Sequence, residues 1–186
     1  MHMSPENKPS FLFRKATPAD LDRIAEIYSH ILDLEETGKT SVGWVRGVYP
    51  TRDTAQEALD AGEMFVLQDG NTITAAARIN RAQVPEYANA AWEHPEAPDD
   101  KVMVLHTLVV VPSLSGKGYG SAFVRFYETY ALENGCPYLR MDTNVNNSAA
   151  RSLYGHLGYR ESGVVDCVFN GINGVKLVCL EKTLSF

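Results

Sequence analysis

Apolar and polar residues alternate along the chain with two different periods, which predicts a mixture of helices and strands. Apolar residues at helical spacing over 21–32 predict an amphipathic helix, and Thr17 followed by Pro18 marks its start. Short apolar or alternating runs predict strands. Predicted strands cover residues 11–15, 64–68, 72–80, 102–111, 138–143, 159–168 and 175–184, and the other predicted helices cover 51–59, 119–134 and 148–157. We expect one mixed α/β domain over residues 11–186, preceded by a flexible N-terminus at residues 1–10.

Two segments fit neither period. Residues 33–50 interrupt the helical pattern with Gly38, Gly43 and Gly47, so they are expected to form a loop. Residues 81–101 contain three prolines together with aromatic side chains, and a loop of this length is either functional or disordered. The aromatic content of this second segment favours a folded excursion beside an active site.

The composition is that of an ordinary globular protein. Hydrophobic residues make up 45% of the 186 residues and charged residues 22%, and this length suits one domain with a sizeable core. The formal net charge of -6 disfavours nucleic acid as a partner and is compatible with a cationic amine substrate. Nothing in the sequence distinguishes a monomer from a homodimer.

Signals for targeting, membrane insertion and metal binding are missing from the sequence. The N-terminal residues 1–10 are polar, and no apolar run approaches the ~20 residues of a membrane helix. Cys136, Cys167 and Cys179 form no CxxC pair, so no disulfide framework is predicted, and no spacing of potential ligands resembles a metal site. These observations favour a reduced, cytoplasmic protein with no membrane partner and no metal.

The most informative stretch is VMVLHTLVVVPSLSGKGYGSA at residues 102–122. Its β-branched apolar run ends at Pro112, a glycine-rich turn follows, and a helical pattern begins near Tyr119. Glycines let such a turn present its backbone N–H groups to a ligand, and the first N–H groups of a helix have no partner within it. Together with the charge of Lys117, these groups predict an anion-binding site. The alternative is a glycine-rich turn that binds nothing.

Two common phosphate-binding motifs do not fit this turn. A Walker A loop requires glycine where Val111 stands and Ser or Thr where Gly118 stands. A dinucleotide-binding fingerprint would use Gly116 and Gly118, but Ser121 occupies the position of its third glycine. The sequence therefore predicts a different kind of anion site.

The turn resembles the acyl-CoA loop of the GNAT superfamily of N-acetyltransferases. That loop has the pattern Gln/Arg-x-x-Gly-x-Gly/Ala after a Leu-x-Val strand, and residues 108–110 and 115–120 are similar to it. Ser115 departs from the usual Gln or Arg, which changes one side-chain contact and leaves the backbone amides in place. A second segment, NSAARSLYGHLGY at residues 147–159, resembles the superfamily signature Asn-x-x-Ala-x-x-Leu-Tyr-x-x-Leu-Gly-Phe, with Tyr159 in place of Phe.

The resemblance implies a GNAT fold, which is an α/β fold with a central mixed, mostly antiparallel, twisted sheet of about seven strands. Two neighbouring strands of that sheet are parallel and splayed, and helices flank the sheet. The implied reaction is transfer of an acetyl group from acetyl-CoA to a primary amine of a small molecule, an amino acid or a peptide. The amine would attack directly within a ternary complex. A non-catalytic domain that binds acyl-CoA as a sensor is the alternative.

The resemblance also implies which residues contact the cofactor and the reacting atoms. Tyr154 stands where the family often has the acid that protonates the leaving thiolate, and the backbone N–H of Val110 is assigned to the oxyanion. The expected cofactor-binding residues are Leu108, Val109, Val110, Ser115, Gly116, Lys117, Gly118, Tyr119, Gly120, Ser121, Asn147, Ala150 and Tyr154.

The acceptor site is less specified by the sequence. In this superfamily the region after the first helix usually forms one wall of that site, and the candidates to line it are Glu35, Glu36, Trp44, Arg46 and Tyr49. The residues expected to contact the acceptor are Tyr28, Glu35, Trp44 and Trp92. His106 is the first candidate for the base, because histidine titrates near neutrality and this one lies on the central strand two residues before Leu108. Glu93, His94 and a water chain remain open as alternatives.

Overall fold

A computed structural model of the chain describes residues 11–185, and the prediction for residues 1–10 lies outside this range. The described residues form one seven-stranded sheet with helices against both faces. Within residues 11–185, no helix has both the length and the apolar character needed to cross a membrane. The strands are β1 (Phe11–Lys15), β2 (Met64–Asp69), β3 (Thr72–Asn80), β4 (Val102–Val110), β5 (Tyr138–Asn144), β6 (Arg160–Phe169) and β7 (Ile172–Thr183). The helices are α1 (Leu21–Glu36), α2 (Arg52–Asp60), α3 (Tyr119–Glu133) and α4 (Ser148–His156).

The strand order is β1-β2-β3-β4-β5-β7-β6, and neighbouring strands are antiparallel except for the parallel pair β4 and β5. Helix α3 connects these two strands, as a parallel pair requires a crossover. The mixed, mostly antiparallel sheet with one parallel pair confirms the predicted fold class.

Element boundaries differ from the predictions at both ends of α1 and at the start of β7. Helix α1 runs to Glu36, so residues 33–36 are helical and the predicted loop begins later than expected. Helix α1 is preceded by a short 3₁₀ turn at Pro18–Asp20, where the Asp20 carboxylate accepts hydrogen bonds from Arg14 at 2.6 Å and from the Thr17 N–H at 2.7 Å. Strand β7 starts earlier than predicted, because Asn170 and Gly171 alone close the β6–β7 hairpin. Both residues have positive φ angles, 49° and 87°, which suit a two-residue turn.

The two faces of the sheet carry different layers. Helices α3 and α4 cover one face, where Phe123, Tyr127 and Leu139 are among the fully buried side chains. Helices α1 and α2 cover part of the opposite face. The rest of that face is covered by residues 81–101, here called the excursion, which buries Tyr87 and Trp92 against β4, β6 and β7. The folded excursion agrees with the expectation from its aromatic content.

Strands β4 and β5 separate halfway along their length. Their parallel pairing runs from Val102 opposite Tyr138 to Leu105 opposite Met141 and then stops. Strand β4 continues along β3, while β5 continues along β7 to Asn144. The two strands therefore diverge and leave a gap between β4 residues 106–110 and β5 residues 142–144.

A β-bulge in β4 lies where the gap begins. Thr107 has a φ angle of 53°, and β4 has one more residue than β3 at this point. Before the bulge, Met103 and Leu105 face α3 and α4; after it, Leu108 and Val110 face that side. Because of the extra residue, odd-numbered residues face α3 and α4 before the bulge and even-numbered residues face them after it.

Candidate functional site

Two cavities meet at the gap between β4 and β5. A small cavity of about 100 Å³ spans the gap, and a large cavity of about 590 Å³ lies between α1, α2 and the excursion. The residues that line both cavities are Tyr49, Leu105, Thr107, Asp142 and Phe169. A molecule held in the gap would therefore reach a second molecule held in the large cavity.

The edge of β4 that faces the gap offers unpaired backbone groups. The Val111 N–H donates to the Thr74 carbonyl oxygen at 2.9 Å, and the N–H groups of an antiparallel strand alternate in direction. The N–H groups of Val110 and Leu108 consequently point toward the gap. Leu108 lines the small cavity, whereas Val110 does not. An extended ligand chain in the gap could pair with this edge.

Helix α4 forms the opposite wall of the small cavity. Asn147 caps the helix, since its Oδ1 accepts from the Ala150 N–H at 3.2 Å, and both residues line the cavity. Tyr154 also lines it, and its hydroxyl makes no hydrogen bond with any residue of 11–185. Burial and the nearby Asp142 raise the pKa of the Tyr154 hydroxyl well above its usual value. The hydroxyl stays protonated near neutral pH and is available as a proton donor.

The glycine turn, residues 115–118, follows β4 and leads into α3. The first backbone bond of α3 joins the Ala122 N–H to the Gly118 carbonyl at 2.9 Å, so the N–H groups of residues 119–121 have no acceptor within the helix. Gly116 and Gly118 have φ angles of 74° and 88°, and a Cβ at either would meet no protein atom within 4 Å. The turn is therefore open to an anionic ligand, with exposed Lys117 beside it.

Two residues in this predicted motif have structural contacts of their own. A Cβ at Gly120 would lie 3.2 Å from Cδ2 of Leu153, so the absence of a side chain lets α3 approach α4. The Tyr119 hydroxyl donates to Asp69 at 2.7 Å, and its ring packs on Phe11. Only the backbone of these two residues is directed at the anion site.

The predicted acceptor-contacting residues are only partly brought together. Tyr28 lines the large cavity, and its buried hydroxyl has no hydrogen-bond partner among residues 11–185. Trp44 lines the small cavity. Glu35 lines neither; its carboxylate accepts from the N–H groups of Val42 and Gly43 at 2.8 and 3.0 Å. Glu35 thus fixes the loop that carries Trp44 to the gap.

Trp92 does not lie in the acceptor site, where it was predicted. Its indole N–H donates to the Tyr87 carbonyl at 2.7 Å, and the Arg140 guanidinium lies 4.4 Å from its ring centroid. The side chain is buried inside the excursion and lines neither cavity. Its contacts stabilise the excursion. The prediction that Trp92 contacts the acceptor failed because this aromatic side chain packs within its own loop and against Arg140.

The base candidates from the sequence differ in their placement. His106 lines the large cavity, and its Nε2 is within 2.8 Å of Asn80 Oδ1. Burial and the positive charge of Arg78 lower the pKa of His106 to about 4, so it is neutral and weakly basic at pH 7. Glu93 and His94 line neither cavity, and the His94 ring packs on Tyr138.

Asp142 is a candidate that the sequence analysis missed. It lines both cavities, and the Tyr87 hydroxyl donates to its Oδ2 at 2.8 Å. Burial raises the pKa of Asp142 to about 6. Arg140, Asp142 and Asn144 alternate along β5, a pattern that is typical of a solvent-facing strand side and gave no signal of a partly buried carboxylate. In the range 11–185, no cluster of three or more His, Cys, Asp or Glu side chains could hold a metal ion.

Comparisons with known proteins agree on the family and the fold. Residues 22–159 match the model of the acetyltransferase (GNAT) family. The N-acetyltransferase YhfO of Bacillus subtilis is 38% identical over 61 residues, which span 33% of this chain and 41% of that relative. A GNAT acetyltransferase from Streptococcus agalactiae superposes with a TM-score of 0.75 at 21% identity, over 95% of this chain and 96% of that one. YncA of Salmonella typhimurium, solved with its cofactor acetyl-CoA, gives 0.68 at 18% identity over 95% of both chains.

Proposed function

The chain belongs to the acetyltransferase (GNAT) family, and we propose that it transfers an acetyl group from acetyl-CoA to a primary amine. The acceptor would be a small molecule, an amino acid or a peptide. The observation that carries this proposal is the gap between β4 and β5, which joins an open backbone edge to a large second cavity.

The donor site fits a phosphorylated, extended ligand such as CoA. The unpaired N–H groups at the start of α3 and the open approach over Gly116 and Gly118 suit a pyrophosphate. The N–H groups of Leu108 and Val110 suit the amide-bearing arm of CoA, which would run along β4 into the small cavity. When bound, acetyl-CoA supplies an activated thioester carbonyl at this position.

The residues around the small cavity support direct attack by an amine. The carbonyl oxygen gains negative charge during attack, and a backbone N–H at the β4 edge would stabilise it. Because Leu108 lines the cavity and Val110 does not, the Leu108 N–H is the better placed of the two donors. Tyr154 supplies a proton to the leaving thiolate. The acceptor amine occupies the large cavity beside Tyr28 and Tyr49.

The donor site is tested by thermal unfolding with acetyl-CoA, CoA and NAD⁺ in parallel. A ligand that binds only the folded protein raises the apparent Tm. At a ligand concentration 100 times its Kd, binding adds roughly 3 kcal/mol to the free energy of unfolding. We expect both CoA species to raise Tm and NAD⁺ to leave it unchanged. A shift with NAD⁺ alone, or with none of the three, contradicts the donor assignment.

The transfer itself is tested by release of free CoA thiol in the presence of primary amines. A panel of lysine, alanine, putrescine, phenethylamine and an alanine-initiated pentapeptide covers the three proposed acceptor classes. Thiol release that depends on one of these amines, with the acetylated product seen by mass spectrometry, supports the proposal. Tight CoA binding without acetylation of any amine would favour a non-catalytic acyl-CoA sensor.

A further inference from the structure

We propose that Asp142 is the residue that binds the acceptor ammonium and takes up its proton, with Tyr87 holding the carboxylate in position. The inference rests on the proposed acetyl transfer and names the base for it. It follows from where the carboxylate lies, from how it is held, and from the absence of an equally placed alternative among residues 11–185.

The position of Asp142 is the first argument. Three carboxylate side chains of the described residues line the large cavity: Asp53 and Glu57 on the exposed side of α2, and Asp142 on β5. Of these three, Asp142 alone also lines the small cavity, where Tyr154 and Leu108 lie. An ammonium group bound by Asp142 would therefore sit between the acceptor cavity and the position of the thioester.

The way the carboxylate is held is the second argument. Oδ2 accepts a hydrogen bond from the Tyr87 hydroxyl at 2.8 Å, and within residues 11–185 no donor reaches Oδ1. Tyr87 is itself buried, and its ring packs on Trp92 at 5.1 Å between centroids. One oxygen is thus fixed by the excursion, and the other is left for a ligand. This gives the excursion a role in the site although its residues 86–101 line neither cavity.

The surroundings of Asp142 set when it carries a charge. Burial raises the pKa of Asp142 to about 6, while the Tyr87 hydrogen bond lowers it and the charge of Glu86 raises it. The carboxylate is therefore ionised at pH 7 and becomes protonated just below neutrality. The titratable and charged groups around it are Tyr49 of the loop before α2, Arg78 of β3, His106 of β4, Tyr154 of α4, Glu86 and Tyr87 of the excursion, Cys167 of β6 and Cys179 of β7.

The proton balance of the reaction closes with these groups. The acceptor ammonium gives one proton to Asp142, and the neutral amine nitrogen forms a bond to the carbonyl carbon. The C–S bond then breaks, and the thiolate takes a proton from the Tyr154 hydroxyl. The nitrogen loses its second proton to Tyr154, and Asp142 releases its proton to solvent. The products are the acetamide, CoA thiol and one proton.

The inference predicts a specific pH dependence for the wild-type enzyme and the Asp142→Asn variant. With the fastest amine of the panel, wild-type kcat/KM should fall below about pH 6 and be flat from there to the pKa of the amine, because Asp142 deprotonates the bound ammonium. Asp142→Asn should lower kcat/KM at pH 7 by about 100-fold or more. Its rate should rise tenfold per pH unit up to the amine pKa, since only neutral amine then reacts.

The Tyr87→Phe variant separates positioning from packing. Losing the hydroxyl should move the acidic limb of kcat/KM to higher pH, because the lost hydrogen bond lowers the pKa of Asp142 in the wild type. Tyr127→Phe is the matched control: it also removes a buried hydroxyl, which donates to the Met103 carbonyl at 2.6 Å, but lines neither cavity. The control should change Tm without moving the limb.

The outcomes distinguish the inference from the proposed function. A kcat/KM profile that stays flat from about pH 6 to the amine pKa in Asp142→Asn, and loses this plateau in His106→Gln, overturns the inference and makes His106 the base. A wild-type enzyme that acetylates no amine overturns the proposed function and this inference with it. Folding of Asp142→Asn is checked at pH 7.5. Its Tm should be no lower there than that of the wild type, because desolvation disfavours the ionised carboxylate that the variant removes. If that variant does not fold, the Tyr87→Phe variant decides the question. If its kcat/KM falls at the same acidic pH as that of the wild type, the inference is overturned.

Discussion

Replacing Tyr154 with phenylalanine is expected to lower kcat about 100-fold while the affinity for acetyl-CoA stays nearly unchanged. The hydroxyl lies in the small cavity without a hydrogen-bond partner among the described residues, and burial keeps it protonated. It is therefore free to serve the leaving thiolate, whose protonation occurs only as the C–S bond breaks. An interaction made only in the transition state affects kcat and leaves ground-state binding alone.

The measurement is a comparison of kcat with the Kd of acetyl-CoA from calorimetry. Tyr159→Phe is a suitable control, since Tyr159 is a buried tyrosine of the same segment, packs 6.0 Å from Tyr154 and lines neither cavity. Its kcat should match the wild type. An unchanged kcat in Tyr154→Phe would remove this residue as the acid, and a parallel loss of binding would assign it to packing against the ligand.

Gly118→Val is expected to abolish CoA binding, with a loss of affinity of at least about 100-fold. The N-cap position of α3 has a φ angle of 88°, where a β-branched residue is strained by roughly 1–2 kcal/mol. The larger effect is steric: a valine side chain would stand above the N–H groups that the pyrophosphate needs. Because a Cβ here meets no protein atom within 4 Å, the fold should persist.

A valine at a second glycine, Gly70, separates the effect of backbone strain from the effect of blocking the phosphate site. Gly70 in the β2–β3 hairpin has a φ angle of 58° and also has no protein atom within 4 Å of a Cβ, but it lies on neither cavity. Gly70→Val should lower Tm to a similar extent and keep CoA binding intact. Persistent CoA binding by a folded Gly118→Val protein, measured by calorimetry, would mean that the phosphate site lies elsewhere.

The sequence contained enough information for the donor side of the site. Glycines that permit positive φ, and a helix start that leaves N–H groups unpaired, are local properties, so Gly116, Gly118 and the start of α3 were predictable from neighbouring residues. The same holds for the Asn147 cap and the helix that carries Tyr154. These features need no knowledge of how distant segments pack.

The acceptor side depends on distant contacts and was predicted less well. Asp142 is one of several alternating polar residues on β5, and only the excursion, whose Tyr87 hydroxyl donates to it, shows that it is partly buried. Trp92 belongs to that excursion and was expected in the site, yet it contacts Tyr87 and Arg140 instead. His106 was chosen for its usual pKa, which burial and Arg78 then lower. In each case a residue from a distant segment contributes: Tyr87 for Asp142, Arg140 for Trp92 and Arg78 for His106.

The single extra residue at Thr107 lets β4 bend away from β5 while its side chains stay in phase with β3. Deleting it would leave Val109 opposite Ala76 and Val110 opposite Ala75, and Leu108 would follow Leu105 on the α3 and α4 side of a regular ladder. A regular β4 would continue its pairing with β5 beyond Leu105, and the gap would close. For protein engineering, substitution along this strand is therefore a safer route to new acceptor preferences than a deletion at the bulge.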